Sequence, residues 1–480
     1  MVTKEGNTGR LYQQVAIDVL PDNVLLEIFE LYLGKDDAIA IDYSDHNYDG
    51  WHTLVHVCRT WRCIVFASPR RLDLKLFCTP QRSVNSKALD IWPELPIVIV
   101  AGNTQFKDDA TNAIAALKQH NRVCKITYRN GRFQDSFLKE FAAVDEPFLS
   151  LTSLHLSSLQ LQNVTVLPNS FLGGSAPRLR SLSLEGIPYP SIGNLLSSTT
   201  NLVQLSLWRI PLSGYVAPET IVPCLSMLAK LESLEIGFKC PRSRAHQTSR
   251  HPPPLTRMAF HNLTFFGFSG DTEYLEDILS QIETPMLNQS YFSFFNRLVF
   301  DTPLLGHFIR RTETFMSIHT ACIEFSKRAV EVTLLGRNEM DDYDREALRL
   351  EIPCKPLDWQ LSAIAQVWHS FLSSFPTLES LDITVSHKDW QDEIEVTQWQ
   401  EFLLPFTFVR DMSLGLEDSV RLVAPALQEL AREKETEVLP VLQNLSIRVG
   451  RWQPSGPLKE AIEQFIAARQ FYGHPVTVYY

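Results

Sequence analysis

Two histidines, His52 and His56, have a spacing that is found in metal sites. They lie four positions apart, so on a helix their rings would share one face, as the zinc ligands of H-E-x-x-H enzymes do. The three residues between them are Thr-Leu-Val, which supply no glutamate, and no third ligand is evident. The pattern therefore favours a solvated helix face over a zinc centre.

Other motifs that could indicate catalysis or cation binding are also incomplete. The stretch GFSG at 267–270 lacks the G-x-S-x-G spacing of a nucleophile elbow, and no Walker or G-x-G-x-x-G loop is present. The acidic run DDYD at 341–344 could bind a cation, but an isolated acidic loop is more often solvated. We therefore expect no catalytic residues, no metal and no cofactor, and a protein that is not an enzyme.

The composition of the chain limits the kinds of partner that it could bind. The formal net charge of −11 argues against broad binding to nucleic acid or to an anionic membrane, since both need a basic surface. The longest purely apolar run, 97–101, is far shorter than the ~20 residues of a membrane helix. No secretory signal opens the chain, and its eight cysteines contain no C-x-x-C pair. We expect a soluble intracellular protein, cytoplasmic or nuclear.

A leucine-containing phrase recurs along most of the chain. Consecutive copies begin at 123, 151, 179, 202, 231 and 263, which is 23 to 32 residues apart and near the leucine-rich repeat period. Clear copies are LTSLHL (151–156), LRSLSL (179–184), LVQLSL (202–207), LESLEI (231–236), LESLDI (378–383) and LQNLSI (442–447). Within each phrase apolar and polar residues alternate, which predicts a strand with one buried face.

Helical patterns separate these strands, at 108–120, 220–231, 272–282 and 419–434. A strand and helix of this size cannot bury their own apolar faces, so neighbouring repeats must stack. We therefore predict an α/β fold over 68–480, a leucine-rich-repeat-like solenoid with a curved parallel sheet inside and helices outside. The strand-like stretches RLDLKLF (71–77) and LPIVIVAG (95–102) would begin it, and HPVTVYY (474–480) would end it.

Two segments interrupt the repeats. Residues 237–257 form a basic, proline-rich connection containing Arg242, Arg244 and Arg250. Its composition favours a mobile loop, although it could also meet an acidic partner. Residues 329–353 read as two strands, VEVTLL and LRLEI, around a polar stretch, which indicates an inserted hairpin or an irregular repeat.

The region before the repeats is short and strongly apolar. LPDNVLLEIFELYL (20–33) and WHTLVHVCRTWRCIVF (51–66) both follow helical spacing, with a polar stretch between them. A unit of about 50 residues is too small to bury this much apolar surface by itself. Some of the surface must therefore dock, either on the repeats or on another protein.

These residues resemble the F-box. Leu20-Pro21, Ile28-Phe29 and Val57-Cys58-Arg59-x-Trp61-Arg62 match its three parts in order, although the loop between the two halves is longer than in the common pattern. The match covers roughly 16–66, which predicts a tail at 1–15, an F-box at 16–67 and repeats at 68–480. An F-box followed by such repeats is similar to the F-box/leucine-rich-repeat substrate receptors of SCF ubiquitin ligases, and DWQLSAIAQVW (358–368) resembles their large fungal group.

The resemblance implies a Skp-family adaptor as partner, which would connect the chain to a cullin. Leu25 and Leu54 are added to the residues that match the F-box motif, because their helical spacing places them with those residues. Some of these side chains could instead pack inside the F-box, Trp61 above all. The expected adaptor-binding residues are Leu20, Pro21, Leu25, Ile28, Phe29, Leu54, Val57, Cys58 and Trp61.

The repeats would hold the target protein on the inner face of the sheet. Trp208 followed by Arg209 is the preferred position, because both residue types are frequent at binding hot spots. Equally, Trp208 could pack under the loop at 210–216. The expected substrate-binding residues are His155, Glu185, Gln204, Trp208, Arg209, Glu235, Asp382 and Arg448.

The sequence thus predicts a substrate-recognition subunit of an SCF-type ubiquitin ligase, which binds an adaptor at one end and a target at the other. Two alternatives stay open. The chain could be an interaction scaffold outside a ligase, or a sensor that binds a small ligand on its repeats.

Overall fold

A computed structural model describes residues 20–33, 50–79, 94–102, 111–130, 136–159, 165–241, 257–295, 302–337, 344–371, 375, 377–386, 396–432, 438–448 and 454–480. It divides the chain into two compact units, Met1–Ile126 and Thr127–Tyr480. The predicted tail at 1–15, residues 242–256 of the basic connection and 341–343 of the acidic run lie outside the described residues.

The first unit contains helices and the beginning of a sheet. Its strands β1 and β2 pair in parallel, with Leu76 opposite Ile97. Strand β1 is shorter than the predicted 71–77, because residues 69–73 form turns and Asp73 has a φ of +47°. The elements are α1 (Asp22–Leu33), α2 (Gly50–Val57), α3 (Arg59–Ala67), β1 (Leu76–Cys78), β2 (Ile97–Gly102), α4 (Thr111–Leu117) and the start of β3 (Val123–Asn130), which spans the division.

The second unit alternates strands with helices. Its helices are α5 (Ser136–Ala142), α6 (Ile192–Leu196), α7 (Pro218–Ser226), α8 (Thr272–Gln281), α9 (Pro303–Arg311), α10 (Leu357–Phe371), α11 (Val396–Leu403), α12 (Glu417–Arg432) and α13 (Pro457–Phe471). Its strands are β4 (Ser153–Ser158), β5 (Ser181–Glu185), β6 (Gln204–Ile210), β7 (Ser233–Phe238), β8 (Met258–Ala259), β9 (Phe265–Gly270), β10 (Ile282–Glu283), β11 (Gln289–Phe294), β12 (Ile318–Phe325), β13 (Ala329–Gly336), β14 (Arg345–Pro353), β15 (Ser380–Val385), β16 (Asp411–Leu414), β17 (Asn444–Ile447) and β18 (Thr477–Tyr479).

The strands of this unit form one large sheet, apart from the short parallel pair β8 and β10. The sheet order is β4-β5-β6-β7-β9-β11-β14-β13-β12-β15-β16-β17-β18. Every neighbouring pair is parallel except those of β13, which is antiparallel to both β12 and β14. The predicted α/β class is therefore confirmed, with a large and mostly parallel sheet and helices between its strands.

The order of the central strands was not predicted. The two strands expected within 329–353 are β13 and β14, but a third strand, β12, precedes them and was missed. The chain passes from β11 to β12 and then returns through β13 to β14, which pairs with β11. Two positions of the predicted 237–257 connection, Gly237 and Phe238, belong to β7. Pairing between distant strands sets this order, and local alternation does not encode it.

Leucines of the repeated phrases bury one face of the sheet. Leu154, Leu182, Leu205, Leu234 and Phe266 lie opposite one another on β4, β5, β6, β7 and β9. Each is at most 2% exposed, and burial of such a side chain contributes ~1.5–3 kcal/mol. A one-residue shift in any strand would move its leucines to the opposite face, so this row fixes the register of the polar residues.

Buried Glu276 connects two successive helices. It lies on α8, is 2% exposed, and its carboxylate accepts the backbone N–H groups of Leu304 and Leu305 at 2.9 and 2.8 Å. These donors belong to the first turn of α9, where no carbonyl within the helix is available to them. Glu276, on α8, thus supplies the hydrogen-bond acceptors for the backbone N–H groups in the first turn of α9.

We expect Glu276→Gln to destabilise the protein by about 1–3 kcal/mol, because the amide NH₂ would face one of these N–H donors and leave it unsatisfied. Urea denaturation followed by circular dichroism measures the loss. Glu219→Gln is the control, since Glu219 is exposed in the first turn of α7. Equal stability of the two variants would contradict the capping role of Glu276.

Candidate functional site

The second face of the sheet in the second unit carries polar and aromatic side chains, and we call it the open face. One row of residues crosses it in register from β4 to β18. The row is His155, Ser183, Ser206, Glu235, Gly267, Tyr291, Arg349, Thr333, Cys322, Asp382, Ser413, Ser446 and Tyr479. Since successive residues of a strand point to opposite faces, the buried leucines place these side chains together.

Trp208 and Tyr291 form an aromatic floor on the open face. A Cβ atom at Gly237 would lie 2.6 Å from Cε3 of Trp208, so the indole rests directly on the backbone of β7. The Trp208 and Tyr291 ring centroids are 6.4 Å apart, although β7 and β9 separate their strands. Gly237 lies beneath Trp208, and Gly267 on β9 pairs with Tyr291 on β11. We call Trp208, Gly237, Gly267 and Tyr291 the aromatic floor.

A β-bulge places Trp208. The pairing of β6 with β7 shifts register between Leu207 and Ile210, and Arg209 has a φ of +53°, in the left-handed region. A bulge of this kind redirects the side chains around it. The structure therefore replaces the alternative of Trp208 packing beneath the 210–216 loop with a ring that lies across the next strand.

Two carboxylates flank Trp208. Glu185 lies opposite it on β5 and accepts a hydrogen bond from the Ser157 hydroxyl at 2.7 Å. Glu235 on β7 accepts one from the Ser206 hydroxyl at 2.5 Å. The exposed Arg209 guanidinium lies 3.9 Å from Glu185. The acidic groups are thus held in place by serine hydroxyls, which carry no positive charge.

Tyr291 is surrounded by charged groups. Its hydroxyl donates to Glu351, and the Arg349 guanidinium lies 5.9 Å from its ring centroid while pairing with Glu331 at 2.7 Å. Burial, and then the hydrogen bond to Glu351, raises the pKa of Tyr291, so its hydroxyl remains a proton donor. This end of the floor therefore has a fixed arrangement of donor and acceptors.

A second polar group lies on β15 to β18, and β15 is the fourth strand beyond β11 in the sheet order. Arg448 is 3.7 Å from Asp382, whose carboxylate is also 3.9 Å from the Cys322 sulfur. Asp382 and Arg448 line an open groove together with neighbours from four strands. Burial and the charge of Asp382 raise the pKa of Cys322 to about 11. The groove offers polar contacts but no nucleophilic thiolate at neutral pH.

Six of the eight predicted substrate-binding residues thus fall into two groups. Glu185, Trp208, Arg209 and Glu235 come together at the aromatic floor, and Asp382 pairs with Arg448 in the groove. His155 lies at the first strand of the row, and Gln204 accepts from the Ser181 hydroxyl at 3.4 Å outside the floor. Sequence reasoning missed the remaining members of the floor and its rim, namely Gly237, Gly267, Tyr291, Glu331, Arg349 and Glu351. The alternation in QSYFSF (289–294) was the available signal for Tyr291.

In the first unit, several predicted adaptor-binding residues are buried. Leu25, Phe29 and Leu54 are 2%, 0% and 5% exposed. Trp61 is half-buried with its ring centroid 4.7 Å from that of Phe29, and the Cys58 sulfur accepts the backbone N–H of Trp61 at 3.4 Å. Leu25, Phe29, Leu54 and Trp61 therefore belong to the packing of α1, α2 and α3, and Cys58 caps the start of α3.

Other side chains of these helices remain accessible. Ile28 is 38% exposed, Val57 is 54% exposed, Pro21 is exposed and Leu20 is half-buried. Two residues that were not predicted are more exposed still, since Leu31 and Tyr32 have exposures of 83% and 52%. Ile28, Leu31 and Tyr32 follow the i, i+3, i+4 spacing of one helix face, and we call them the α1 stripe.

The histidine pair does not form part of a larger ligand set in the described ranges. His52 is half-buried and stacks on Trp51 with ring centroids 3.7 Å apart, whereas His56 is exposed. Among the described residues, no group of three or more His, Cys, Asp or Glu side chains is placed to hold a metal ion. Across the same ranges, no helix is long and apolar enough to cross a membrane.

No protein-family model and no curated protein matches the chain. Among solved structures, one that resembles it is the leucine-rich repeat-containing protein LegL7 from Legionella pneumophila. The two are 14% identical with a TM-score of 0.29, over 71% of this chain and 97% of LegL7. The assignment of the fold therefore rests on the strands, register and helices described above.

We expect Gly237→Ala to destabilise the protein by about 1–3 kcal/mol, because the new methyl group overlaps the Trp208 ring. The control is the same substitution in a Trp208→Ala background, where the cost should largely disappear. Urea denaturation of the four proteins measures the coupling. An equal cost in both backgrounds would show that Trp208 does not lie over Gly237.

Cysteine alkylation tests the packing of both units. Cys63 is exposed, whereas burial raises the pKa of Cys78 and of Cys354 to about 11. A thiol with a raised pKa stays protonated and unreactive below that value. Iodoacetamide at pH 8 should therefore label Cys63 first and leave Cys78 and Cys354 unlabelled in the folded protein, as read by peptide mass spectrometry. Early labelling of Cys78 or Cys354 would contradict this packing.

Proposed function

We propose that the chain is a substrate-recognition subunit of an SCF-type E3 ubiquitin ligase. In this proposal the helices of the first unit act as an F-box and bind a Skp-family adaptor, which connects the chain to a cullin. The open face of the second unit binds the target protein. The chain carries out no chemistry itself and needs no cofactor, since other subunits of the ligase transfer ubiquitin.

The observation that carries the adaptor proposal is the α1 stripe. Its members Ile28, Leu31 and Tyr32 are exposed while Leu25 and Phe29, on the adjacent face of the same helix, are buried. Exposed apolar side chains on one helix face are typical of an interaction site, and each would contribute ~1.5–3 kcal/mol if a partner covered it. The F-box resemblance of the surrounding residues names the adaptor as that partner.

The open face supports the target-binding half of the proposal. Sheet faces of repeat proteins commonly bind other proteins, and this one presents a tryptophan, a tyrosine and arginines, the residue types enriched at hot spots. The aromatic floor is therefore the proposed centre of target binding. In this proposal the ligase subunit acts inside the cell, in the cytoplasm or the nucleus.

The groove around Asp382 favours one alternative, a sensor for a small ligand. Its side chains Asp382, Asp411, Asn444 and Arg448 converge from neighbouring strands. Small-molecule sites usually enclose most of the ligand, whereas this groove is open, so the macromolecular target is the stronger proposal. A scaffold that binds an adaptor without a cullin is the other alternative.

A pull-down with a purified Skp-family adaptor tests the proposal. The full chain should bind, and Ile28→Asp combined with Val57→Asp should reduce binding at least tenfold, because two desolvated carboxylates would face an apolar surface. Both positions are exposed, so the variant should fold. Leu212→Asp, at a residue of the second unit that is 55% exposed, is the matched control and should bind normally.

Two results would overturn the adaptor proposal. One is a wild-type chain that fails to bind the adaptor. The other is undiminished binding by the doubly substituted variant. If the adaptor binds but a reconstituted complex with cullin transfers no ubiquitin, the chain is a scaffold instead.

A further inference from the structure

We propose that the aromatic floor receives a cationic side chain, arginine above all, from an exposed basic segment of the target protein. This inference rests on the proposed role of the open face and adds the chemical class of the group that it recognises. It follows from the ring geometry, the charges around the rings and the positions of the hydrogen-bond acceptors.

The Trp208 and Tyr291 rings of the aromatic floor are partly accessible. Trp208 and Tyr291 are half-buried, and the Trp208 ring lies against the backbone of β7 at Gly237. Aromatic faces carry negative potential and attract guanidinium and ammonium groups. Arg349 already lies over Tyr291. Among the described residues, no guanidinium or ammonium group lies over Trp208, and this half-buried ring can meet a cation from outside.

The charged groups around the aromatic floor are mainly negative. Four carboxylates, those of Glu185, Glu235, Glu331 and Glu351, stand beside two guanidinium groups, those of Arg209 and Arg349. Arg349 is engaged by Glu331 at 2.7 Å, and Arg209 lies 3.9 Å from Glu185. The local excess of negative charge favours a positively charged partner and disfavours an acidic one.

The Glu235 carboxylate is a hydrogen-bond acceptor at the aromatic floor. Glu235 accepts the Ser206 hydroxyl through Oε2 and extends over Gly267 on the next strand, where a Cβ atom would lie 3.1 Å from Cγ of Glu235 and 3.3 Å from Cε1 of Phe265. A carboxylate can accept several hydrogen bonds, so Glu235 retains capacity for a further donor. A planar guanidinium can stack on an indole and donate in its own plane at the same time, which an ammonium cannot. The arrangement thus favours arginine over lysine.

Fluorescence anisotropy with labelled peptides tests the inference on the full chain at 150 mM salt. The probes are a short glycine-serine peptide with three arginines and counterparts with three lysines or three glutamates. The arginine peptide should bind most tightly, the lysine peptide more weakly, and the glutamate peptide not measurably. Trp208→Leu keeps an apolar side chain but removes the aromatic face, and it should weaken arginine-peptide binding roughly 3- to 30-fold.

Matched variants separate this site from general attraction to an acidic protein. Trp359→Leu replaces a tryptophan that is 42% exposed on α10, and it should leave binding unchanged. Glu235→Gln should weaken binding several-fold, whereas Glu219→Gln removes the same charge at an exposed position on α7 and should have little effect. Circular dichroism of each variant verifies folding.

The inference is overturned if the arginine peptide does not bind, if the glutamate peptide binds equally well, or if Trp208→Leu and Glu235→Gln bind like their matched controls. These results do not depend on the adaptor. If the chain binds the arginine peptide but not the adaptor, only the ligase proposal is overturned. If it binds the adaptor but not the arginine peptide, only this inference is overturned.

Discussion

The second unit depends on the burial of each strand's apolar residues by its neighbours. A single strand and helix would leave their leucines in water, whereas the row from Leu154 to Phe266 is at most 2% exposed. Since burial of the leucines fixes the register, it also fixes which polar residues stand opposite one another on the second face. The row from His155 to Tyr479 is therefore a consequence of packing on the hidden side of the sheet.

This constraint also explains how much of the fold could be predicted. Alternation in phrases such as LRSLSL identifies strands, and their spacing predicts helices between them and a parallel sheet. The central region differs, because β12, β13 and β14 enter the sheet in reverse order. Strand β12, with the sequence IHTACIEF, lacks the leucine phrase. Its position follows from antiparallel pairing with the next strand, β13, and from parallel pairing with β15, which is distant in the sequence.

The candidate site was predictable in part for the same reason. Glu185, Trp208 and Glu235 lie at open-face positions in or directly after adjacent repeated phrases, so the sequence places them together. The bulge at Arg209 and the reach of Trp208 across Gly237 toward Tyr291 depend on backbone geometry, which periodicity does not carry. In the first unit, helical spacing identified apolar residues but did not separate the buried Phe29 from the exposed Leu31.

In the proposed function, two different surfaces bind two partners, an apolar helix face in the first unit and a polar, aromatic sheet face in the second. Hydrogen–deuterium exchange of the full chain, with and without saturating Skp-family adaptor, tests this assignment directly. The account predicts slower exchange in α1 and α2 when the adaptor is present and unchanged exchange in β6 to β14. Unchanged exchange in α1 and α2, or protection confined to the sheet, would contradict it.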